Sequence, residues 1–127
     1  MQESHLYEYA VIRVVPRVER EEFLNVGVIL YCPSQFFLHA VTELDLERLR
    51  IFSAKDDVEE YEKYLQAIKL ICKGGKEGGQ IAQLPLASRF RWLTATRSTV
   101  VQMSKVHPGF CKDPKHKLDQ LFKELVL

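Results

Sequence analysis

A chain of 127 residues, 46% apolar and 28% charged, can bury one proper core without disulfide or metal staples, which excludes global disorder. Eighteen basic side chains against seventeen acidic ones leave a formal charge of +1, so overall charge gives nucleic-acid binding no support. The longest nearly unbroken apolar run, Val26 to Cys32, falls far short of the roughly 20 residues that span a bilayer as a helix.

The first 42 residues read as three strands. His5 to Val15 is rich in aromatic and β-branched residues, and Pro16 ends it because proline cannot donate to a ladder. Arg17 to Glu22 is a polar reversal, Phe23 to Tyr31 a second strand, Cys32-Pro33-Ser34 a turn, and Gln35 to Val41 a third strand. Such short connections imply an antiparallel meander.

Helices follow. Asp45 to Phe52 is short. Asp56 to Cys72 carries Val58, Tyr61, Leu65, Ile68 and Cys72 along one face, with Asp56 and Glu59 placed as a capping box and Gly74 and Gly75 as a stop. Pro85 opens a helix running to Leu93, proline being suited to a first helical position. Arg97 to Val106 reads as a fourth strand and His107-Pro108-Gly109 as a turn. Asp113-Pro114 then starts a closing helix with an apolar stripe of Leu118, Leu121, Phe122 and Leu125. The order βββ-αα(α)-β-α predicts one α+β domain over residues 1–127, an antiparallel sheet of about four strands with helices packed on one face.

Residues two apart on a strand share a face. The aliphatic sets Ala10, Ile12, Val14 and Leu24, Val26, Val28, Leu30 read as the core face. The opposite set mixes Tyr7, Tyr9 and Arg13 with Asn25 and Gly27, which suits a half-open binding surface where Gly27 lets a ligand or a backbone approach. The plainer alternative is that Arg13 snorkels to water along the tyrosines and Gly27 marks a bulge. Arg89 and Arg91 flank Phe90 beside Trp92, an arrangement that can grip single-stranded nucleic acid. On a helix, however, the two arginines diverge by about 200°, which favours a solvated face.

Arg97, Ser98 and Thr99 could hold an anion or supply a nucleophile. His107 stands about 30 Å away if that strand is straight, so the strand contains no internal catalytic pair. His107, Cys111 and His116 are close in sequence, but their spacing is loose and a fourth ligand is missing, so no metal and no cofactor is expected. Lys73 to Gly79 lacks the Ser/Thr and the preceding strand of a phosphate loop. Met1 to His5 lacks the regions of a secretory signal, and three scattered cysteines without a CxxC pair suit a reducing cytoplasm.

Three segments together resemble a bacterial family known as domain of unknown function 3037. They are Tyr7 to Pro16, Glu19 to Leu30, and Arg97 to Gln102 continuing through Val106-His107-Pro108-Gly109 to Asp113-Pro114. The resemblance implies a bacterial domain without an established activity and supplies no catalytic residue. It also implies a protein partner, since family members are often encoded beside HipA-like kinases. The expected function is therefore a non-enzymatic, cytoplasmic protein-interaction domain, with its surface drawn from Tyr7, Tyr9, Arg13, Asn25, Gly27, Arg97, Ser98 and His107. The alternative is a small-ligand domain or enzyme holding a nucleotide or other anion with Arg13 and Arg97. An unpaired sheet edge leaves a homodimer open.

Overall fold

A computed structural model describes residues 3–52, 58–97 and 99–127. Among them, the strands β1 (His5–Val14), β2 (Leu24–Cys32), β3 (Phe37–Thr42), β4 (Val101–Met103) and β5 (His107–Cys111) form one antiparallel sheet. The helices are α1 (Leu46–Phe52), α2 (Val58–Lys73), α3 (Leu86–Thr94) and α4 (Pro114–Leu125). No helix among the described residues is long and apolar enough to cross a membrane. The capping role expected of Asp56 lies outside the described residues.

β1 is the axis of the sheet. One side pairs with β2, which pairs in turn with β3. The other side is shared end to end by β4, against Ile12 to Val14, and β5, against His5 to Tyr9. Two expectations change here. The fourth strand is only Val101–Met103, and His107-Pro108-Gly109 is not a turn but the start of a fifth strand. The register explains both. Met103 faces Ile12 and His107 faces Tyr9, so four steps on one chain answer three on β1, and the extra residue is absorbed between them. Ser104 splices the break. Its N–H donates to Val11 O at 2.8 Å, and its Oγ accepts the Val11 N–H at 2.8 Å. Pro108 is tolerated because β5 is an edge strand, where a proline nitrogen can face outward. Gly109 is glycine for a packing reason: a Cβ there would sit 2.5 Å from the Tyr7 hydroxyl.

A bulge in β2 alters the expected faces. Ile12 faces Gly27 and Arg13 faces Asn25, so Val26 is an extra residue. Strict alternation is broken, and the aliphatic set divides. Leu24 and Val26 join Ile29 and Tyr31 on one face with Ala10, Ile12 and Val14, while Val28, Leu30 and Cys32 lie in the core of the other face. Gly27 is required at this point, since a Cβ would meet Val41 O at 2.6 Å and Thr42 Cγ2 at 2.9 Å.

α2 and α3 share the first face, where the fully buried Phe90 stacks on Tyr31 at 5.2 Å. The α2 stripe buries Tyr61, Leu65, Ile68 and Cys72 as its spacing predicts, with Ile71 added. α4 crosses the opposite face and covers Val28, Leu30 and Cys32 with Leu118 and Leu121. Its start follows the sequence signal: the Asp113 carboxylate accepts the N–H groups of Lys115 at 3.0 Å and His116 at 3.4 Å.

Arg89 and Arg91 are not merely solvated. Arg89 closes the end of α2 by donating to Ile71 O and Cys72 O, each at 3.0 Å, and to Leu84 O at 2.8 Å. Arg91 holds α3 to β1 through a two-pronged pair with Glu8, at 2.9 and 2.6 Å. That hydrogen bonding raises the Arg91 pKa further.

Candidate functional site

Where α2, α3 and β4 meet, they leave a cleft of about 260 Å³. The α2 contribution follows from helical spacing: Tyr64, Ile68 and Ile71 lie on one stripe, with Ala67 beside it. α3 ends at Thr94, and Ala95 turns extended, so the last helical turn presents Leu93 inward and leaves Trp92 at the rim, 41% exposed. The chain then descends through Arg97 and Thr99 to β4, whose Val101 and Met103 form the floor. Thr99 O accepts from Gln102 Nε2 at 2.8 Å, and the Thr99 hydroxyl donates to Val101 O, which fixes this descent.

Arg97 sets the chemistry of the cleft mouth. Its guanidinium lies 3.9 Å from the Trp92 ring centre, and it donates to Trp92 O at the end of α3. A cation there complements the partial negative charge of a helix C-terminus. The outcome is an apolar slot with an aromatic rim and one positive charge.

The sequence-predicted residues divide between this cleft and the far side of the sheet. Arg97 lines the cleft, and Ser98 lies outside the described residues. Arg13 alternates with Ile12 and Val14, which face α2 and α3, so it emerges on the α4 side, its guanidinium 4.0 Å over the Phe23 ring. Arg13 and Arg97 therefore do not form one anion clamp. Asn25 sits opposite Arg13, and its amide donates to Leu125 O at 3.1 Å, tying the end of α4 to the sheet. Arg13 Nε and Asn25 Oδ1 are buried without a hydrogen-bonding partner among the described residues. Gly27 serves the bulge. Tyr7 is buried, and burial, followed by the neighbouring Tyr9, raises its pKa. Tyr9 is half-buried and lies 5.2 Å from the exposed His107 ring. The face expected to be half open is thus mostly the second core, with Tyr9 and His107 at its margin.

Elsewhere, burial pushes the Cys72 thiol up to about 12 and raises Cys111, which also has Cys32 close by. None of these displaced groups lines the cleft. No group of three or more His, Cys, Asp or Glu among the described residues could hold a metal ion. Sequence reasoning missed Trp92 and Tyr64 as site residues. The usable signal was the five-residue step from Trp92 to Arg97 across the end of a proline-initiated helix.

The family model described as "Protein of unknown function (DUF3037)" matches residues 9–126. The chain belongs to this family. No curated protein and no solved structure matches it.

Proposed function

We propose that this chain is a recognition domain that binds another protein through the cleft between α2, α3 and β4. The observation that carries this reading is Trp92, a large aromatic ring left at the rim of an apolar slot with Arg97 stacked on it. Tryptophan, tyrosine and arginine around a desolvated pocket are the residues that dominate binding energy at protein interfaces. Size decides between ligand classes. Small-molecule pockets run to about 300–1,000 Å³, and about 260 Å³ suits an inserted apolar side chain better than a nucleotide.

The partner to try first is a bacterial HipA-like kinase, which the family resemblance suggests, in the cytoplasm. Trp92→Ala should weaken the complex by about 30-fold or more, the loss typical of an interface hot spot, while the melting temperature holds. Calorimetric titration of the kinase into both chains measures this. Unchanged affinity in the variant removes the cleft as the binding surface.

One observation favours a second reading. The positive charge at the cleft mouth suits a small amphipathic anion, gripped by Arg97 alone because Arg13 lies on the other face. Such a ligand at 100 times its Kd would stabilise the fold by about 2.7 kcal/mol. A thermal-shift screen of aromatic carboxylates and nucleotides separates the two readings.

A further inference from the structure

We infer that β3 is the docking edge for a second copy of this chain, which adds to it antiparallel about a two-fold axis at Ala40. β3 is the terminal strand of the sheet, six residues long and in unbroken register with β2. Three devices that blunt a free edge are missing from it: Phe37 to Thr42 contains no Lys, Arg, Asp or Glu and no proline, and β3 has no bulge. The opposite edge has both Pro108 and a break at Ser104.

The ladder fixes which backbone groups are free. The Glu43 N–H donates to Val26 O at 2.7 Å. By alternation, Val41, His39 and Phe37 turn their backbone bonds toward β2, and Leu38, Ala40 and Thr42 turn theirs outward. A two-fold axis at Ala40 pairs all the outward groups at once. Ala40 meets the partner's Ala40, and Leu38 meets the partner's Thr42.

Two side-chain observations select a second copy over an unrelated strand. Grooves of about 530 and 590 Å³ run beside the β3 edge and share Lys69. At the Phe36 end the groove is basic, with Lys69, Lys73 and Arg89. At the Thr42 end it holds Glu59, Glu62 and Lys63. That end is charge-balanced once the shared Lys69 is counted, but an antiparallel copy still lays Glu59 and Glu62 of one protomer along Lys73 and Arg89 of the other, twice. Phe36, which is 85% exposed just before β3, then comes to the end of the partner's strand where Leu44 lines the groove.

Sedimentation velocity at low and high salt tests the dimer, with circular dichroism melts to check folding. The wild-type chain should run at twice the monomer mass and loosen with salt, because exposed charges are screened beyond about 8–10 Å. Lys69→Glu with Lys73→Glu, and separately Glu59→Lys with Glu62→Lys, should each raise the dimer Kd at least about tenfold through like-charge contact. Mixing the two variants should restore the dimer, because each then meets its complement. Ala40→Pro, at a position whose N–H is outside the β2 ladder, should give a monomer. A wild-type chain that stays monomeric to about 1 mM overturns the inference. So does a dimer indifferent to these substitutions, or a charge-reversed pair that fails to reassociate on mixing.

Discussion

The two faces of the sheet are built to different depths. One carries α2 and α3, and its core extends from Leu24 and Val14 through Ile29, Tyr31 and Phe90 to Leu65 and Ile71. The other is covered by α4 and rests on Val28, Leu30 and Cys32 against Leu118 and Leu121. The deeper face should set the stability of the whole chain. The shallower face should set how readily part of it opens, because regions with fewer buried apolar contacts open at lower free energy.

The largest expected effect lies on the deep face. Phe90→Ala removes a fully buried ring stacked on Tyr31 and should cost about 3–5 kcal/mol. Leu118→Ala on the α4 face should cost about 2–3 kcal/mol, near the low end for a buried leucine, because a single covering helix can settle into the space. Urea unfolding of both variants gives the ranking. Equal losses would mean that the faces form a single core.

How much of this was legible depended on periodicity. The α2 stripe and the Asp113-Pro114 start were readable because spacing and capping chemistry are local. The bulge was legible in part: Gly27 suggested one in β2, but alternation carries no mark of which residue is inserted, and only pairing with Arg13 and Ile12 shows that it is Val26. β5 was hidden for a similar reason. His107-Pro108-Gly109 has turn composition, but the proline suits an edge and the glycine makes room for Tyr7. In the cleft, Arg97 was visible as a cation. Its role was not, since stacking on Trp92 requires knowing where α3 ends.

The bulge joins the two faces, and a side chain added at Gly27 tests that junction. Gly27→Ala drives a Cβ against Val41 O, a backbone atom that cannot rotate away. Overpacking of this kind costs about 1–3 kcal/mol. Because the strain falls between β2 and β3, hydrogen exchange should quicken at Val41 and Glu43 more than at β4. Uniform acceleration would show that the bulge has no local role.

The smallest effect sharpens the comparison most, because the cysteines report on separate faces. Cys72 lies in the deep core, and Cys32 and Cys111 lie in the core under α4. With its thiol pushed up to about 12, folded Cys72 has almost no thiolate at pH 8, so alkylation there requires opening. A raised thiol pKa also favours folding fully below the unfolded value of 9.0, and that contribution fades as pH climbs toward 12. Labelling at pH 8 therefore reads opening while this contribution is intact. Asp113→Ala removes the cap of α4 and should cost about 1 kcal/mol. If α4 opens on its own, Cys32 and Cys111 should be alkylated about fivefold faster in the variant while Cys72 keeps its rate, as mass spectrometry of timed iodoacetamide reactions would show. Equal acceleration of all three thiols would mean that the α4 face opens only with the whole chain.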